Sequence, residues 1–129
     1  MKFLNKTVFK ILFFILVFLV FALMTIPILP ADFHTFISFL GLNDKGEHFI
    51  AFFLLSFLLN RASDTGIHRL RNMAALLTFG IVIELIQAYI PERSASIFDV
   101  LADFAGILAF QFLFSIYLFF KKRRKSYDA

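Results

Sequence analysis

"NDKGEHFIAFFLLSFLL", residues 43–59, decides how the chain meets a membrane. The apolar run from Phe49 to Leu59 is too short to cross roughly 30 Å of hydrocarbon by itself. It becomes long enough only when the preceding turn, with Asp44, Lys45, Glu47 and His48, is wound into the same helix. Charge then enters the interface, and something must receive it. The flanking sequence shows what that is.

On either side lie stretches with the length and apolarity of membrane spans. Residues 8–29 are almost continuously apolar, residues 70–90 form a further stretch closed by Pro91, which cannot continue a helix, and residues 97–120 form the last. With residues 46–60 this predicts an all-α fold, a bundle of four transmembrane helices forming a single domain over residues 1–129. Lys2, Lys6 and Lys10 imitate the basic leader of a signal peptide, but the apolar core after them is too long and no A-x-A cleavage site follows, so residues 8–29 read as a retained span. Between the first two spans, "ADFHTFISFLGL" sets Phe33, Phe36, Ile37 and Leu40 at helical spacing, which predicts a short helix lying in the interface.

Composition agrees. Of 129 residues, 60% are hydrophobic and 19% aromatic, with a mean hydropathy of +0.85, which places the chain among integral membrane proteins. Phe, at 21 residues, supplies the greasy surface; with no Trp, interfacial anchoring falls to three Tyr. The absence of Cys excludes disulfides, thiolate ligands and a cysteine nucleophile.

The net charge of +4 is unevenly placed. Lys2, Lys6 and Lys10 lie before or in the first turn of the first span, Arg61, Arg69 and Arg71 lie between the second and third or at the start of the third, and "KKRRK" (121–125) follows the fourth, whereas the other connections hold only Lys45 and Arg93. The positive-inside bias therefore predicts that both termini lie in the cytoplasm. The basic tail reads as an anchor to anionic lipid, and a nucleic-acid role is set aside.

In this orientation every intramembrane acid lies on the outer side. Asp44 and His48 are four apart, Glu84 and Gln87 three apart, and Asp99 and Asp103 four apart, so each pair projects from one helix face. Asp44 with Glu47, and Ser96 with Asp99, also have capping-box spacing, which makes helix-end satisfaction an alternative role for Asp44 and Asp99. Glu84 and Asp103 lie too far inside their predicted helices for first-turn capping; at an insertion cost of about 3 kcal/mol each, they should face partners or water. Gln87 fits interhelical hydrogen bonding and Gln111, deeper in the last span, takes a structural role by default, while Ala102/Gly106 and Ala105/Ala109 are small pairs that allow close helix approach. His34 and His68 fall in loops and carry no expected role.

The string "DKGEH" at 44–48, followed by "ELIQAYIPERSASIFDVLADFAG" at 84–106, resembles the VanZ-like family of small bacterial membrane proteins. That pattern runs D-K-x-x-H-F, then E-x-x-Q, a Pro and Arg, then D with a further amide or acid and a Gly. The matching residues are Asp44, Lys45, His48 and Phe49, then Glu84, Gln87, Pro91 and Arg93, then Asp99, Asp103 and Gly106, over about residues 43–110. Asp103 stands where the family more often has Asn. The resemblance implies a multi-pass protein of a bacterial cytoplasmic membrane with an envelope-related role, after a member linked to glycopeptide (teicoplanin) resistance.

Three readings of the cluster follow. In the favoured one, Asp44, Lys45, His48, Glu84, Gln87, Arg93, Asp99 and Asp103 bind a lipid head group, a lipid-linked cell-wall precursor or a glycopeptide, the basic pair holding phosphate or carboxylate and the acids holding amines or hydroxyls. The alternative is a hydrolase or transferase acting on a lipid-linked substrate at the outer leaflet, with His48, Glu84 and Asp103 as acid–base candidates. That version admits a divalent cation held by Asp44, Glu84, Asp99 and Asp103, although no standard metal spacing, G-x-S-x-G or phosphate loop is present. A proton-coupled transporter using Glu84 and Asp103 is the third, constrained by how little room four short spans give for alternating access. Self-association into a homo-oligomer is a further expectation.

Overall fold

The computed structural model describes residues 6–25, 44–63, 68–90 and 96–128, excepting the side chains at 44, 45 and 125–128. Among the described residues there are four helices and no strand: α1 (Lys6–Thr25), α2 (Asp44–Ala62), α3 (Arg69–Gln87) and α4 (Ile97–Asp128). The expected interfacial helix at 31–42 lies outside the described residues, as does Arg93.

Three of the helices, α1, α3 and α4 as far as Arg124, are long and apolar enough to cross a membrane. The chain is a membrane protein in that sense. Large apolar side chains such as Phe14, Phe18, Leu85, Leu101 and Phe112 face outward along these helices, a surface suited to lipid rather than water. α2 has the length but not the composition, since Asp44, Lys45, Glu47 and Arg61 fall within its 19 residues. It compensates by position: α2 packs against each of the other three helices, while among the described residues the backbones of α1 and α4 do not come close to one another.

The interior is organised as stripes at spacing four. His48, Phe52, Ser56 and Asn60 on α2, Asn72, Leu76, Gly80 and Glu84 on α3, and Asp99, Asp103, Ile107 and Gln111 on α4 are all buried. Each stripe has a polar residue at both ends; apolar or small residues lie between on α2 and α3, and Asp103 and Ile107 on α4. The apolar middle joins Val20 and Met24 of α1 to Phe52, Leu55, Leu76, Ile83 and Ile107 in one core. Side-chain contacts fix the directions. The first turn of α1 meets the end of α2 through Phe9 and Phe57, whose rings lie edge to face at 6.4 Å, and Arg61 sits 5.0 Å over Phe9. At the other end Gln87, closing α3, donates from Nε2 to the carbonyl of Met24 near the end of α1. Helices α1 and α3 thus run one way, α2 and α4 the other.

Two boundaries differ from the sequence expectation. α3 ends at Gln87 rather than at 90: the Tyr89 and Ile90 amides donate to the carbonyls of Ile86 and Gln87, a tightening that closes the helix before Pro91. Glu84 is consequently in the last turn, not nearly two turns inside. α4 does not stop at 120 but continues through the basic tail, with Lys121–Arg124 exposed. At 1.5 Å per residue its 32 residues extend about 48 Å, well beyond a hydrocarbon core.

α2 and α4 approach closely where Gly106 meets the backbone of Phe49 and Phe53. A β-carbon at 106 would fall inside contact distance of the Phe49 carbonyl oxygen and 3.1 Å from the Phe53 nitrogen. Of the small pairs expected on this helix, Gly106 makes the approach, whereas Ala105 is exposed.

Candidate functional site

Three helix ends bring polar side chains to one level: the start of α2, the end of α3 and the start of α4. His48 is 4% exposed, Glu84 7%, Asp99 6% and Asp103 0%, and Gln87 closes the group beside α1. His48 Nδ1–H donates to Asp103 Oδ1 at 2.7 Å, joining α2 to α4. With Asp103 ionised its carboxylate can only accept, so Nδ1 carries the proton in that bond and Nε2 of the neutral ring is the nitrogen with a lone pair to offer. Asp103 fits here because Gly80 leaves room for it: a β-carbon on Gly80 would sit 2.5 Å from Asp103 Oδ2.

Glu84 has a different local task. Ser96, immediately before α4, accepts a bond from the Phe98 amide on its hydroxyl at 3.1 Å, and its own amide donates to Glu84 Oε2 at 2.9 Å. The sequence spacing assigns the latter role to Asp99, as the returning half of a capping box. The structure gives it to a carboxylate from the neighbouring helix. Capping and burial thus coincide in Glu84, whose position near the positive end of α4 also favours negative charge.

Among the described residues, Glu84 Oε1, Gln87 Oε1 and Asp103 Oδ2 are buried acceptor atoms with no hydrogen-bond partner. Each such atom costs desolvation free energy that a suitable donor or cation would recover. One ligand atom each from His48, Glu84 and Asp99 lies within 4.8 Å of the others.

Of the sequence-derived candidates, His48, Glu84, Gln87, Asp99 and Asp103 are therefore grouped. Asp44 begins α2, but its side chain, like those of Lys45 and Arg93, lies outside the described residues. The sequence reading missed a second polar level at the opposite end. There Arg69 donates to the Gln111 side chain, to the Gln111 carbonyl at 2.7 Å and to Ser115, and its guanidinium lies 5.6 Å over Phe114. Asn60 and Asn72 are buried at 5% and 7%. The signal was available: Asn60 is three steps of four after His48, and Asn72 three steps of four before Glu84.

Fold and site together define a helical membrane protein with a buried, acceptor-rich cluster at one end. Comparison with family models, curated proteins and solved structures finds no match to this chain.

Proposed function

We propose that the protein crosses a bacterial cytoplasmic membrane four times with both termini in the cytoplasm. Its cluster opens at the outer leaflet and binds the polar head group of an envelope lipid, a lipid-linked cell-wall precursor or a glycopeptide-type ligand, contributing to envelope resistance. The observation carrying this reading is the surplus of acceptors: Glu84 Oε1, Gln87 Oε1 and Asp103 Oδ2 are buried without donors, so a ligand bringing ammonium or hydroxyl groups would satisfy them. The exposed Lys121–Arg124 at the far end of α4 supports the orientation, since basic residues favour the cytoplasmic side. The resemblance of residues 44–49 and 84–106 to the VanZ-like family supports the envelope role. α2 crosses as the shielded helix of the four.

The test is to express Glu84→Gln, Asp103→Asn and His48→Gln separately, verify membrane insertion, and measure both the lipids that copurify in nanodiscs and susceptibility to glycopeptides and detergents. Loss of a bound envelope lipid together with raised susceptibility is the expected result. Wild-type behaviour in all three variants would reduce the cluster to a scaffold.

The His48–Asp103 bond favours a second reading, an enzyme acting on a lipid-linked substrate. An imidazole oriented through Nδ1 can act as a base through Nε2, which is how a buried carboxylate serves histidine in hydrolytic sites. Turnover of a lipid-linked precursor by purified protein, abolished in His48→Gln, would select this reading over simple binding.

A further inference from the structure

We infer that His48, Glu84 and Asp99 form a binding site for a first-row divalent ion of the zinc or manganese class, with Asp103 as the positioning residue behind His48. The inference does not depend on which head group the protein receives.

The donor set comes from three helices and has mixed chemistry: one imidazole nitrogen and two carboxylates, each from a residue less than 10% exposed and all within 4.8 Å of one another. Around a tetrahedral ion with bonds of about 2.1 Å, ligand atoms stand about 3.4 Å apart, so modest side-chain rotations close the set. An imidazole among the ligands favours zinc or manganese over calcium, which takes oxygen cages, and three protein ligands leave a coordination position for water or an incoming oxygen.

What separates this group from a chance gathering of acids is that two of its members, His48 and Glu84, are already oriented from behind. Asp103 Oδ1 holds His48 Nδ1–H at 2.7 Å, leaving Nε2 to coordinate, the carboxylate–histidine arrangement that fixes metal-binding rings. The Ser96 amide holds Glu84 Oε2 at 2.9 Å, leaving Glu84 Oε1 as the buried oxygen without a partner. Gly80 supplies the space behind Asp103. A divalent ion would also offset the charge of three carboxylates gathered at low dielectric.

The test uses full-length protein purified in detergent, stripped with a chelator, confirmed helical by circular dichroism, and titrated with Zn2+ or Mn2+ alone. Uptake of about one ion per chain is expected, and Co2+ in its place should give visible d–d absorption characteristic of nitrogen and oxygen ligation. Glu84→Gln and His48→Gln should lose stoichiometric uptake, Asp103→Asn should weaken it about 10- to 100-fold, and the double variant His34→Gln/His68→Gln should retain it. Folded wild-type protein that takes up no stoichiometric ion overturns the inference, as does uptake that survives both Glu84→Gln and His48→Gln. Because the wild-type result alone can decide against it, poor folding of a variant does not rescue the idea. Lipid retained by metal-free protein would leave the head-group reading standing while this one is judged on ion uptake.

Discussion

Replacing Gly106 by Ala tests packing and site geometry with one methyl group. In an exposed helix interior the change should stabilise by about 1 kcal/mol, because Ala has the better helix propensity. Here the added carbon meets the Phe49 carbonyl oxygen and lies 3.1 Å from the Phe53 nitrogen, backbone atoms that cannot rotate away as a side chain would. Relief requires α2 and α4 to separate by about 1 Å, an overpacking cost of about 1–3 kcal/mol. His48 immediately precedes Phe49, and Asp103 is one turn before Gly106, so the same displacement stretches their 2.7 Å hydrogen bond to about 3.7 Å, beyond bonding distance. Losing a charged hydrogen bond adds about 1.5–3 kcal/mol. After subtracting the propensity gain, Gly106→Ala should destabilise by about 1.5–5 kcal/mol. Reversible unfolding in mixed micelles measures this, and the downfield ring proton of His48 in nuclear magnetic resonance spectra reports the bond independently. A variant that is more stable by the propensity increment and keeps that proton signal would refute the close approach of α2 and α4.

Gly80→Ala should spare most of the stability yet disturb the cluster, since its methyl group would lie 2.5 Å from a carboxylate oxygen that can turn; the expected sign is a shifted His48 ring proton with thermal unfolding within about 1 kcal/mol of wild type. Arg69→Ala removes the clamp on Gln111 and Ser115 and should cost about 1.5–3 kcal/mol in the same unfolding assay, with Arg69→Lys recovering only part because an ammonium cannot reproduce the planar fork. Phe52→Ala, at a fully buried central position, should cost about 3–5 kcal/mol, and a loss under 1 kcal/mol would mean that α2 is not the interior helix. Changing Lys121, Lys122, Arg123 and Arg124 to Gln should weaken binding of the tail to anionic vesicles by about 1 kcal/mol per residue, seen as a fall in salt-sensitive cosedimentation.

The helices were legible because membrane spans announce themselves in composition. The apolar runs at 8–29, 70–90 and 97–120 each correspond to a helix, and the charged turn at 44–48 is wound into α2 as its length demanded. The intrahelix pairs were legible too, since Asp99 and Asp103 share a face by the geometry of one helix alone. Relations between helices were not. Nothing in the spacing of Ser96 and Asp99 reveals that the cap would come from Glu84, because a capping box is a local pattern and the carboxylate that wins belongs to another helix. Arg69 was read only as a count toward loop charge, whereas its long side chain reaches α4 and finds Gln111. The end of α3 was set too late because Ala88, Tyr89 and Ile90 are compatible with a helix, and the tightening bonds after Gln87 depend on the turn that follows. Continuation of α4 through "KKRRK" was hidden because hydropathy marks where lipid ends, not where hydrogen bonding does.

The composition of α2 bears on biogenesis. Under the proposed four-span topology, a helix carrying four charged residues in 19 gains little by entering lipid alone, so its partition from the translocation machinery would depend on company, first from α1 and then from the later helices. Asp103 is the last member of the cluster to be synthesised, and until it arrives His48 lacks its hydrogen-bond partner on α4. In that topology a ribosome stalled before α4 would leave α2 uncommitted to the bilayer, exposed to extraction and to proteolysis of incomplete chains.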